Sequence, residues 1–145
     1  MKLNDFITEL KQWKLTKYKA INFAIGISGL LVYEFIGRTI YRPYIYSNNI
    51  NDFHIADTLG NTFGTLPTIF FLVALFSNDT KKGHYLIKLG TFSVVVFELL
   101  HPLLGKPIDP WDIIATLLTG FISLLIYNGI FKNGYKEEQR TAKTV

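Results

Sequence analysis

The sequence predicts an all-α membrane protein: four transmembrane helices in a bundle, preceded by an amphipathic helix at the membrane interface. Three observations carry this. Of the 145 residues, 49% are hydrophobic and only 18% charged, a richer apolar content than an ordinary soluble domain has. The apolar residues gather into four runs, each close to the ~20 residues that a spanning helix needs. The basic residues collect at the two ends and in one short turn between runs, so the net charge of +4 reads as membrane orientation and not as a nucleic-acid footprint. The absence of cysteine excludes disulfides, thiolate metal sites and cysteine nucleophiles.

In residues 1–19, Leu3, Phe6, Ile7, Leu10 and Trp13 recur at helical spacing, with lysines on the other faces and Asn4 or Asp5 placed to cap. That pattern predicts a helix lying in the cytoplasmic interface, with Trp13 and Tyr18 at headgroup level. The first apolar run begins only at residue 20, is longer than a signal core and lacks a small-residue cleavage site, so a signal peptide is not expected. The spans are placed at about 20–41, 57–77, 84–104 and 111–131. The second and fourth have long charge-free cores, whereas the first contains Glu34 and Arg38 and the third Lys88 and Glu98. A charge at a helix centre costs about 2.5–3.5 kcal/mol on insertion scales and less near the interface, so a bundle interior can tolerate one glutamate in each of these runs. Residues 132–145 have no apolar face and are expected to be a disordered tail.

Lysine and arginine set the orientation. Lys2, Lys11, Lys14, Lys17 and Lys19 precede the first span, Lys81 and Lys82 follow the second, and Lys132, Lys136, Arg140 and Lys143 follow the fourth. The opposite side carries only Arg38, Arg42 and Lys106. The positive-inside rule then places both termini in the cytoplasm and the loops 42–56 and 105–111 outside.

The two halves of the chain resemble each other. Glu34 precedes Arg42-Pro43 by eight residues, as Glu98 precedes Lys106-Pro107. Asp57 then heads "DTLGNTFG" as Asp112 heads "DIIATLLTG", with Asn61 and Thr116 each four residues on. Both halves run in, out and back, which predicts a parallel two-helix duplication about an axis along the membrane normal.

Residues four, seven and eight apart share a helix face. Asp112, Thr116, Thr119, Gly120 and Ser123 therefore form one stripe, and Asp57, Asn61, Gly64, Thr65 and Thr68 another. Glu34 and Arg38 make an i,i+4 pair, and Thr91, Glu98 and His101 lie near one line. Such polar edges are expected to meet inside the bundle. The acidic groups of these stripes all fall in the outer third of their spans or at their outer ends, and the cytoplasmic halves are almost wholly apolar. A channel or proton relay would need polar groups through the full thickness.

Two readings of this cluster stay open. In the structural one, Glu34 pairs with Arg38 or Arg42, Glu98 pairs with Lys106 or His101, and Asp57 and Asp112 cap their helices. Asp109, before Pro110 and the interfacial Trp111, fits a turn entering a helix. In the functional one, the ligand-binding residues are Glu34, Arg38, Arg42, Asp57, Asn61, Glu98, His101, Lys106, Asp109, Asp112 and Thr116, lining a recess that opens to the outer leaflet. No metal or other cofactor is expected, because His54 and His101 fall on different loops without ligand spacing. Phosphate-loop, nucleophile-elbow, kinase and protease patterns are all missing.

With these residues in view, the chain resembles the VanZ-like family of small bacterial membrane proteins over roughly residues 20–131. The carrying features are Glu98, Lys106-Pro107 and "DPWDIIATLLTG", with "IADTLGNTFGTL" similar to the same core in the first half. Thr116 stands where that family often has Asn, and the loop before it is shorter. The family's namesake is associated with resistance to teicoplanin-type glycopeptides and other members with the cell envelope. The resemblance implies a multi-pass protein of a bacterial cytoplasmic membrane, an origin that the Lys-, Asn-, Ile- and Phe-rich composition suits. It makes Glu98, Lys106, Asp112 and Thr116 the key residues, with Glu34, Arg42, Asp57 and Asn61 as their repeat partners. The expected partners are membrane lipids and a lipid-linked or glycopeptide ligand, with no nucleic acid. The expected function is non-enzymatic binding of a lipid headgroup, cell-wall precursor or drug at the outer leaflet. The alternatives are an enzyme acting on a lipid-linked substrate, with Glu98 or Asp112 as general base, and a scaffold in which the cluster only specifies helix pairing.

Overall fold

The structure, a computed structural model, describes residues 15–142, and every regular element among them is helical. Helix α1 (Lys17–Val32) begins at Thr16, whose hydroxyl accepts a hydrogen bond from the Lys19 amide at 3.3 Å. The expected interfacial helix of Leu3 to Trp13 lies outside the described residues. From α1 the chain passes without a break through a π-helical segment, Tyr33–Tyr41, into α2 (Arg42–Ser47). The outer loop expected to start at residue 42 is thus helical through Ser47, because Pro43 sits in the first turn of α2, where proline is tolerated.

Helix α3 (Ile55–Phe76) is preceded by Asp52, whose carboxylate accepts from the Ala56 amide at 2.7 Å. Helix α4 (Thr80–Leu99) is capped by Asp79, which accepts from the Lys82 amide at 2.8 Å. A 3-10 turn over His101–Leu104 ends at Gly105, whose φ of 72° favours glycine. Helix α5 (Pro110–Ala142) starts behind Asp109, which accepts from the Trp111 amide at 2.9 Å. This helix runs on through residues 132–142, where a disordered tail was expected. Lys, Glu, Gln, Arg and Ala are good helix formers, and extending an existing helix avoids the cost of nucleating one.

Among the described residues, three segments are long and apolar enough to cross a membrane: Lys17–Ser47, Ile55–Phe76 and Pro110–Gly129. That is the make-up of an integral membrane protein. Helix α4 falls short of the same measure because its twenty residues include Lys81, Lys82, Lys88 and Glu98.

Helix α1 packs on α3, α3 on both α4 and α5, and α4 on α5. The core is formed by Ile69, Phe70 and Val73 of α3, Leu86 and Ile87 of α4, and Tyr127 of α5. Lipid tails are as apolar as leucine, so helices in a bilayer associate through close packing, and small residues allow it. A Cβ on Gly29 would lie 2.9 Å from Leu66 of α3, and one on Gly120 would collide with Thr91 of α4. Gly83 leaves room for the ring of Tyr127, whose hydroxyl lies 3.4 Å from Ser77 Oγ and donates to the Asp79 carbonyl at 3.5 Å. Gly83→Ala should therefore lower stability in detergent by about 1–3 kcal/mol through overpacking, read as a drop in thermal midpoint. Gly64→Ala, whose Cβ would meet nothing within 4 Å, should leave the midpoint unchanged.

Candidate functional site

Most of the ionisable residues expected at the site gather at one end of the molecule, where the start of α3, the end of α4 and the start of α5 meet. We call this the polar end. It contains two distinct arrangements.

The first ties the loop after α2 to α3. The Arg42 guanidinium donates to the Tyr33 hydroxyl at 3.4 Å and the Tyr46 hydroxyl at 3.3 Å, and lies 5.7 Å from the centre of the Tyr46 ring. Tyr46 in turn donates to Asp57 Oδ1 at 2.6 Å, while Asp57 Oδ2 faces His54 Nδ1 at 3.3 Å. The His54 ring stacks on Trp111 of α5, with centroids 5.1 Å apart and planes 15° from parallel. Alongside, Tyr41 donates to Asp52 at 3.1 Å. The loop holds three non-glycine residues at positive φ, Asn49, Phe53 and His54, a conformation that such residues adopt only when surrounding contacts fix it. At His54 the series that runs by hydrogen bonds from Arg42 and ends in the ring stack on Trp111 supplies those contacts.

The second arrangement is a cavity of about 330 Å³ between α3 and α4. Asn61, Gly64, Thr65 and Thr68 line it from α3, and Ser93, Phe97 and Glu98 from α4. Glu98 is 3% exposed. Its Oε2 lies 3.0 Å from Nδ1 of His101 in a close ion-pair contact that lacks hydrogen-bond geometry. Thr65 Oγ1 and Asn61 Nδ2 are buried with no hydrogen-bond partner among the described residues. Orphaned buried polar atoms are uncommon, since each costs roughly 1–3 kcal/mol of unrecovered solvation. All three unsatisfied groups belong to residues that line this one cavity. Its rim residues Gly64, Thr68, Ser93 and Phe97 are exposed on the flank of the helices, so the mouth opens sideways.

The predicted residues divide among these places. Glu98, His101 and Asn61 come together at the cavity. Asp112, on the first turn of α5, lies within electrostatic reach of Asp109, Glu98, His101 and Asp57. Thr116 is fully buried one turn below, with its hydroxyl unpartnered, and Thr119, Gly120 and Ser123 are buried on the same stripe as expected. Arg42 and Asp57 belong to the loop tie. Asp57 is not a helix cap: Asp52 takes that role on α3, and Asp109 does so on α5 in place of Asp112.

Glu34 and Arg38 correct the expectation of an inward edge. They pair at 3.3 Å with side chains 49% and 65% exposed, on the outside of the first helix. The face turned to α3 is set by Gly26, Gly29, Tyr33 and Gly37, and Glu34 stands one residue, a ~100° rotation, off that stripe. Lys106 is exposed, with its backbone amide bonded to the His101 carbonyl and no side-chain contact among the described residues. The proposed repeat partners Glu34 and Glu98 thus occupy unlike environments.

Thr65, Ser93 and Phe97 in the cavity, and Tyr33, Tyr46 and Asp52 in the tie, were not among the predicted site residues. Thr65 lay on the polar stripe of α3 and was legible there. The tyrosines carried no sequence signal, because their role depends on a helix that outruns its expected end. Among the described residues no group of His, Asp and Glu is arranged to hold a metal ion. No family model, curated protein or solved structure matches the chain.

Tyr46→Phe removes the hydroxyl that joins Arg42 to Asp57. It should leave the helices intact while speeding amide hydrogen exchange in residues 48–56 by about twofold or more, in line with ~0.5–1.5 kcal/mol net for a hydrogen bond at an exposed site.

Proposed function

We propose that this is a four-span, VanZ-like protein of a bacterial cytoplasmic membrane that binds the polar head of a lipid-borne ligand without chemically changing it. Lipid headgroups, cell-wall precursors and glycopeptide-type molecules all fall in that class. The observation that carries the reading is the cavity itself: a buried carboxylate, an unpartnered amide and an unpartnered hydroxyl share one recess with a lateral mouth. A ligand head in that recess would satisfy groups that the protein leaves unsatisfied, and its chains could stay in the bilayer.

Helix α4 completes the membrane domain as a fourth span in this reading. Lys81 and Lys82 lie in its first turn, at the membrane surface, Lys88 reaches toward the same surface by snorkelling, and Glu98 is shielded by α3. The polar end faces outward, and both termini are cytoplasmic. The chain has no cysteine, so single cysteines report topology cleanly. A membrane-impermeant maleimide should label Asn49→Cys and Lys106→Cys in intact cells, and Asn78→Cys only after permeabilisation. Labelling of Asn78→Cys alone in intact cells would invert the orientation.

Ligand binding is tested by the lipids that co-purify with the protein. Glu98→Gln and Asn61→Ala should fold normally and lose about tenfold in retained ligand, in line with ~1–3 kcal/mol for an interaction to a buried polar partner. A scaffold is the second reading, favoured by the engagement of both Asp57 oxygens in holding the loop. It predicts instead that Glu98→Gln unfolds the protein or leaves its lipid content unchanged.

A further inference from the structure

We propose that the recess between α3 and α4 takes a primary ammonium group carried by a membrane lipid, with Glu98 as its counter-ion. This rests on the recess reading above and narrows its ligand. The argument is an inventory of donors and acceptors. The Thr68 hydroxyl donates its proton to the Gly64 carbonyl at 2.9 Å, and the Ser93 hydroxyl donates to the Leu89 carbonyl at 2.9 Å. With those protons committed, both oxygens face a ligand as acceptors. Glu98 adds a carboxylate, and the unpartnered Thr65 hydroxyl can accept as well. Against these acceptors stand two uncommitted donors, the Asn61 amide and the Thr65 hydroxyl proton.

A wall of acceptors asks for a ligand rich in donors. A primary ammonium has three N–H donors and no acceptor, and its charge answers a carboxylate that is otherwise desolvated beside a single imidazole. A trimethylammonium head offers no N–H donor and is held by cages of aromatic rings, whereas Phe97 is the one aromatic side chain lining this recess. A glycerol or sugar head supplies hydroxyls but no charge. The surroundings favour the cation further. Asp112 stands within electrostatic reach of Glu98, while Arg42 is committed to Tyr33 and Tyr46 and Lys106 is exposed to the exterior. Asn61 is left to donate to a phosphate or ester oxygen of the same molecule. The exposed rim admits the head from the side, and exposed Leu89, one turn from Ser93, continues along α4 toward its other end as a path for the chains.

The test is competitive retention. The full-length protein is exchanged into an equimolar mixture of phosphatidylethanolamine, lysyl-phosphatidylglycerol, phosphatidylcholine and phosphatidylglycerol with matched chains, and bound lipid is counted by native mass spectrometry. Both amine lipids, or one of them, should exceed phosphatidylcholine by at least fivefold. Retention of both means that the amine alone is read, and retention of one names the source. Glu98→Gln should bring the ratio near one. Thr68→Val with Ser93→Ala, which removes acceptors and leaves the charge, should lower it by twofold or more and guards against a folding defect in the first variant. Equal retention of phosphatidylcholine, or preference for phosphatidylglycerol, in a Glu98-dependent way overturns the ammonium assignment but keeps the recess as a headgroup site. Lipid retention independent of Glu98 and Asn61 overturns both.

Discussion

The polar end is organised around one desolvated carboxylate. Glu98 is almost fully buried near the end of α4, with the His101 imidazole 3.0 Å from its carboxyl. Removing a charge from water costs several kcal/mol even after relaxation, and a partner returns that only when the geometry is good and the remaining lone pairs are satisfied. Here the ion pair lacks hydrogen-bond geometry, and the groups beside it, Asn61 and Thr65, are also unsatisfied. A bundle that needed only to hold itself together would be served as well by apolar residues at these positions. On the proposed reading, the recess is half of an interaction whose other half arrives with a ligand.

The rest of the structure can be understood as support for that recess. Glycines on α1, α4 and α5 draw the helices close, so that the walls of the cavity are fixed by backbone packing and not by adaptable side chains. The core of Ile69, Phe70, Val73, Leu86, Ile87 and Tyr127 lies toward the opposite end from the polar groups, and the Tyr127 hydroxyl anchors the turn between α3 and α4 there. At the polar end, the tie from Arg42 through Tyr46, Asp57 and His54 to Trp111 spans the loop and reaches α5. With packing below and hydrogen bonding above, the lateral mouth between α3 and α4 is an accessible route to the recess.

Much of this was legible in the sequence because membrane proteins obey few and strong rules. Apolar run length located the helices, and helical spacing placed Thr116, Thr119, Gly120 and Ser123 on one buried stripe. Glu98 stood out because an intramembrane carboxylate is costly anywhere. Glu34 carries the same charge in a similar run, yet it is exposed. Its helix turns toward α3 the stripe of Gly26, Gly29, Tyr33 and Gly37, and small-residue spacing would have been the better guide there. The helix termini were misjudged where polar composition was equated with loop. Pro43 begins a helical turn, and the charged residues after Phe131 prolong a helix. The tyrosine contacts of Arg42 were beyond reach, since they join positions whose register follows from the π-helical segment.

Photo-crosslinking from the rim of the recess addresses the central claim most directly. Benzoylphenylalanine in place of Phe97, which lines the cavity and is exposed, would sample the ligand in a native membrane. The same group in place of Leu125, exposed on α5, samples bulk lipid. Adducts at Phe97 enriched in one class of lipid over those at Leu125, and lost when Glu98 becomes Gln, are what a headgroup site in this recess predicts. Identical adduct profiles at the two positions, unchanged by Glu98→Gln in a folded protein, would contradict it.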